Sequence, residues 1–95
     1  MNIDVNTARE LAYGQPGDYV DGFEVMVNEL IDTSRWSIYC RLVIRNPYDG
    51  KFWSTIYSEG ATEDQDEIPF EDDEVADFQE VEPVEVRTIE YREVK

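Results

Sequence analysis

The sequence predicts an α+β domain, mostly β. It has a short N-terminal helix and a four-stranded antiparallel sheet, with a long acidic loop before the last strand. Three observations carry this reading. Trp36, Ile38, Cys40, Leu42 and Ile44 alternate with Ser37, Tyr39, Arg41, Val43 and Arg45, the period of a half-buried strand. Asn46-Pro47-Tyr48-Asp49-Gly50 follows at once with hairpin chemistry, Pro presetting φ and Gly accepting positive φ. After Ser58 the apolar pattern dissolves into a run of carboxylates.

The helix is expected over residues 4–13. Asp4 or Asn6 can cap it, and Thr7 with Glu10 fits a capping box. Gly14 and Pro16-Gly17 end it. So short a helix is held by packing rather than propensity, with Ile3, Ala8 and Leu11 toward the sheet.

The first strand runs from Gly22 to Ile31. Phe23, Val25 and Val27 share one face, and Leu30-Ile31 break the phase, so a bulge or strand end is expected near Asn28. Asp32-Thr33-Ser34 reads as a turn. In the second strand the even positions point inward, which makes Trp36 a core residue and Cys40 a small buried hydrophobe. Arg35, Arg41 and Arg45 share the outward parity and can pair with acids of the first strand or of the acidic run. The third strand, Phe52 to Ser58, puts Trp53 and Tyr57 on one face and Phe52 and Ile56 on the other. Which face is inside stays open. Short turns make these three strands a meander.

The acidic run spans residues 59–82 and holds 12 acids with no Lys or Arg, leaving 11 acids against 8 bases in the rest of the chain. Pro69-Phe70 is expected to pin its middle. Crowded carboxylates there are expected to titrate above their ordinary values. Val81 to Val94 regains strand character through Val84, Val86, Ile89 and Tyr91, and Pro83 places its start at an edge.

Composition narrows the function. The 95 residues (11.1 kDa) fit one domain, 1–95, in which the acidic loop 59–80 is the candidate mobile segment. A net charge of −15 repels nucleic acid and anionic membrane. There is no His, which removes the commonest general base and metal ligand, and a single Cys allows no internal disulfide. No apolar stretch approaches a membrane span or a signal core, so a soluble protein is expected. Glu63, Asp64, Asp66 and Glu67 cluster, but no window fits a calcium-binding loop, and no metal or cofactor is expected. Among 23 acids, carboxylate pairs arise by chance, and a small meander offers them little pocket. An enzyme is therefore not expected.

One stretch carries a resemblance. Gly60-Ala61-Thr62-Glu63-Asp64-Gln65-Asp66-Glu67-Ile68-Pro69-Phe70, preceded by Ser34-Arg35-Trp36-Ser37 and Gly50-Lys51-Phe52-Trp53, resembles small proteins encoded by actinobacterial phages. The tail from Glu80 to Val86, with Tyr91, extends the likeness. Ile68 departs from it, standing where a basic residue is expected. The resemblance implies a phage gene product in the cytoplasm of a bacterial host. It implies no activity and fixes no functional residue.

Together these observations predict a small acidic interaction protein that binds a basic surface of a host protein. Mimicry of nucleic acid toward a nucleic-acid-binding protein is one form of this. The residues expected to meet the partner are Glu63, Asp64, Asp66, Glu67, Glu71, Asp72, Asp73, Glu74 and Asp77. Two alternatives are a structural or assembly module with a solubilising acidic loop, and a protein that binds a small ligand.

Overall fold

A computed structural model describes residues 1–60, 67–71, 74–86 and 89–94. The chain begins with strand β1 (Asn2–Asp4) and helix α1 (Val5–Tyr13). The Asp4 carboxylate caps α1 by accepting the Asn6 N–H at 3.0 Å. The expected capping box does not form, because the Thr7 hydroxyl instead donates to Asp21 at 2.7 Å. Ala8, Leu11 and Ala12 form the buried face of α1, and Ile3 is buried with them.

Four antiparallel strands follow: β2 (Tyr19–Val20), β3 (Phe23–Thr33), β4 (Ser37–Arg45) and β5 (Phe52–Gly60). The register of β3 on β4 shifts between Val25 and Val27 and again between Leu30 and Asp32. The irregularity expected near Asn28 is thus two separate shifts on either side of it. The β3–β4 turn lies at Ser34–Ser37, where the Ser34 N–H donates to the Ser37 carbonyl at 2.8 Å. The β4–β5 turn has the predicted chemistry. Asn46 Oδ1 accepts the Tyr48 N–H, Asp49 Oδ1 accepts the Lys51 N–H, and Gly50 sits at φ 73°.

The acidic run corrects the strand count. It contributes β6 (Val75–Asp77), which pairs with β1 in a two-stranded sheet, and β7 (Gln79–Val81), which pairs with Phe52–Ser54 of β5. The main sheet is therefore five-stranded, in the order β2-β3-β4-β5-β7, where four strands were expected. The predicted long last strand is a correction too. Only Gln79–Val81 is strand, and the described residues from Glu82 to Val94 are exposed, Val84, Val86, Ile89 and Tyr91 among them.

The core lies between α1 and one face of the sheet. It joins Val25, Leu42, Ile44, Cys40 and Tyr57 with Leu11, Phe70, Ala76 and Phe78. Trp53 packs against it, so Trp53 and Tyr57 mark the inner face of β5 and Ile56 lies outside. Trp36 shares the predicted parity yet is 56% exposed. It precedes β4, in the turn, where no opposing layer reaches it. The Arg35 guanidinium stacks on its ring, 4.8 Å from the centroid. No helix among the described residues is long and apolar enough to cross a membrane.

Candidate interaction surface

The described part of the acidic run is held to the domain at successive points. Glu67 comes first. Its carboxylate accepts the Ser37 hydroxyl at 2.5 Å and the Ser58 hydroxyl at 2.7 Å, and its carbonyl accepts the Gly60 N–H at 3.0 Å. Ser58 pairs with Tyr39 and Ser37 with Gly60, so both serines stand on the face of the sheet away from α1. Their hydroxyls hold the Glu67 carboxyl below its ordinary range, Ser37 more than Ser58. The rise expected from mutual repulsion is thus reversed at Glu67.

Pro69 and Phe70 form the second anchor. Both are buried, and the Phe70 ring lies 5.7 Å from the Tyr57 ring at 42°. Arg9 of α1 donates from Nε to the Pro69 carbonyl at 2.9 Å and from Nη2 to the Phe70 carbonyl at 3.1 Å. The pin expected at Pro69-Phe70 is present, and no local pattern marks its partner on the helix. The third anchor is the β1–β6 pairing, which the Glu74 carbonyl extends by accepting the Val5 N–H at 3.3 Å.

The sequence-predicted contact residues fall into three groups. Glu63, Asp64, Asp66, Asp72 and Asp73 lie outside the described residues. Glu67 is turned onto the serines and serves as an anchor. Glu71, Glu74 and Asp77 are exposed, brought to the surface by the same turn and strand that pin the run. Among the described residues, no Lys or Arg forms an ion pair with Glu71 or Glu74. Asp77 faces the N-terminal ammonium at 3.8 Å, and Glu80 faces Lys51 at 3.7 Å. Arg41 and Arg45 pair across β3 with Glu29 and Glu24, each at 3.5 Å, as their parity suggested.

Two features escaped the sequence reading. A groove of about 350 Å³ runs over the outer face of the sheet, floored by Val27, Val43 and Phe52 and walled by Val81 and Pro83. Phe52 therefore faces outward, with Arg41 at the groove's rim. The other feature is Asn28, whose side chain ties the sheet to the end of α1. Its amide donates to the Ala12 carbonyl at 2.7 Å and to the Gly14 carbonyl at 3.0 Å. The alternation in the sequence puts Asn28 on the face opposite Val25, and it is the register shift between Val25 and Val27 that turns it to the inner face.

Compared with known proteins, the chain matches no family model, no curated protein and no solved structure.

Proposed function

We propose that this chain is a small acidic interaction protein of phage type, acting in the cytoplasm of a bacterial host. It binds a basic surface of a host protein and is not an enzyme. The observation that carries this reading is the anchoring of the acidic run. Glu67, Pro69, Phe70 and the β6 pairing fix its backbone, while Glu71 and Glu74 stay exposed and without a basic partner among the described residues. Carboxylates on an anchored backbone present a fixed pattern of negative charge, and such a pattern steers a basic partner and selects its orientation. In the sharper form of the proposal the partner is a nucleic-acid-binding protein, whose basic site is filled in place of phosphates.

The test compares the native protein with a Glu71→Gln, Glu74→Gln, Asp77→Asn variant, both immobilised and exposed to host lysate at low salt. A true partner is retained by the native protein alone, elutes as salt rises, and in the mimicry form is displaced by duplex DNA. Retention that ignores the three substitutions would remove these carboxylates from the mechanism. The outer-face groove favours a second reading, a small-ligand site on the sheet.

A further inference from the structure

Beyond Val25, β3 is itself an edge of the main sheet. β2 pairs only with Phe23 and Glu24. The Val25 N–H donates to the Asp18 carbonyl at 2.8 Å, and its carbonyl accepts the Gly17 N–H at 2.9 Å. From Met26 to Thr33 no other described segment bonds the backbone on the side away from β4. Val25 turns away from β4 and stands opposite Ile44, while Asn28 and Leu30 stand opposite Leu42 and Cys40, which share the parity of Ile44. Bonded and non-bonded pairs alternate along an antiparallel ladder, so Asn28 and Leu30 also turn their N–H and C=O outward. The regular stretch Val27–Leu30, between the two register shifts, thus offers two backbone donors and two acceptors to a further strand. The undescribed stretches are attached elsewhere. Residues 61–66 join Gly60 of β5 to Glu67, across β4 from this edge. Residues 72–73 lead to Glu74 at the start of α1, and the tail leaves from β7 at the opposite edge of the sheet.

The side chains along this edge select its occupant. Leu30 and Ile31 are 59% and 39% exposed, so an added strand has apolar surface to cover. Glu29 stands between the two outward-turned residues and is half exposed. Its Oε1 faces Arg41 Nε at 3.5 Å, which leaves Oε2 to a second cation. A second copy of this chain is a poor match. The antiparallel register that uses all four backbone groups sets Asn28 against Leu30 of the other copy and Glu29 against its own image. Like charges directly opposite destabilise a strand pair, and each copy carries a net −15. A Lys or Arg opposite Glu29 turns the same position into an attraction.

We propose that the Val27–Leu30 edge of β3 takes an extended basic segment of a partner protein as an added antiparallel strand, with an apolar residue over Leu30 and the next residue, Lys or Arg, against Glu29. Main-chain bonds to Asn28 and Leu30 hold the segment, and the alternating side chains select it. The register shifts on either side keep the docked strand short. The proposal shares the basic partner of the preceding reading and gives part of that partner a second surface, away from Glu71, Glu74 and Asp77.

The probes are a short capped peptide alternating Lys with Val and a second alternating Glu with Val. Amide hydrogen exchange of the full chain is followed at Asn28 and Leu30, and dissociation constants come from amide shifts in a titration. The Lys peptide should protect both amides and the Glu peptide neither. Leu30→Pro removes an outward donor and leaves the β4 ladder whole, and Glu29→Lys sets like charges opposite each other. Each should raise the dissociation constant of the Lys peptide by about tenfold or more. Circular dichroism checks the folds, and Glu29→Lys, at an exposed position, decides alone if the proline variant unfolds. The Glu71→Gln, Glu74→Gln, Asp77→Asn variant should keep the protection, which separates this edge from the acidic run; its loss there would overturn the proposal. No protection up to about 1 mM Lys peptide, or equal binding of the two peptides, would overturn it as well. So would protection that neither edge variant weakens, or protection that grows with protein concentration in the absence of peptide, which gives the edge to a second copy.

Discussion

The Tyr57 hydroxyl reaches across β4 to donate to Asn28 Oδ1 at 2.8 Å, with the Ala12 carbonyl 3.2 Å away. Asn28 in turn donates to the carbonyls of Ala12 and Gly14. One tyrosine thus orients the amide that closes the helix end. Tyr57→Phe should cost about 1–3 kcal/mol in denaturant unfolding, because a half-buried acceptor loses its donor. Asn28→Ala should cost a similar amount, and the double variant less than the sum of the two. Strict additivity would show that the two side chains act separately.

Burial, and after it the neighbouring Cys40, pushes the Tyr57 hydroxyl well above the ordinary tyrosine value of 10.0. The fold favours the neutral phenol. Its contribution is complete below pH 10 and is lost as pH rises beyond, where the unfolded chain ionises first. The native protein should therefore lose stability above pH 10 more steeply than Tyr57→Phe. Equal slopes in urea melts across that range would refute the assignment.

Glu67 acts at the opposite end of the pH scale. Its carboxyl is held below the ordinary glutamate value of 4.5 by the Ser37 and Ser58 hydroxyls. The stability it contributes is present above that value and is lost as pH falls through it toward the lower folded value. Glu67→Gln should remove this acid-side component. The difference in unfolding free energy between native and variant should then shrink as pH falls from 6 to 3, values chosen to bracket about 4.5.

Leu42 is fully buried, whereas Arg41 beside it is half exposed and paired with Glu29. Leu42→Ala should cost about 2–5 kcal/mol through lost burial and the cavity left behind. Arg41→Ala should cost at most about 1 kcal/mol, the usual worth of an exposed ion pair. Thermal melts of the two variants check the inward and outward faces of β4 directly.

Two glycines should fail for different reasons. Gly50 has φ 73° with nothing within 4 Å of an added Cβ, so Gly50→Ala should cost about 1 kcal/mol through backbone strain and Gly50→Asn less. Gly14 has ordinary φ, but a Cβ there would meet Val25 Cγ2 at 3.1 Å and the Leu11 carbonyl at 3.2 Å. Gly14→Ala should therefore be relieved by Val25→Ala in the same chain, and Gly50→Ala should not. Melting temperatures of the single and double variants decide.

The parts legible in the sequence were those where one local signal outweighed its context. β4 shows a period of two because α1 covers one side of it, and the Asn46–Gly50 turn needs only its own residues. Trp36 kept the period but lies beyond the reach of the opposing layer, so parity alone misplaced it. β6 and β7 are three residues each, too short for any period to show, and their places depend on distant partners, β1 and β5. The tail reads as a strand because β propensity resides in its side chains, while a strand also needs an edge to pair with. At the acidic surface, charge density was visible from composition. Of the serines that capture Glu67, Ser58 is 9 residues away and Ser37 is 30, and the arginine that holds Pro69 and Phe70 is 60 away, distances that no local pattern reveals.

Arg9 fastens the acidic run through neutral carbonyls and not through carboxylates. A guanidinium used in this way gives up nothing to dissolved ions, since no opposing charges are drawn apart when salt screens the solution. The Arg9 attachment and the attraction proposed for a basic partner therefore respond differently to ionic strength. Rising salt weakens the second within a Debye length of about 8 Å at physiological strength and leaves the first in place. The proposed basic partner would then be released by salt from a surface whose shape has not changed, ready to be bound again when the salt is removed.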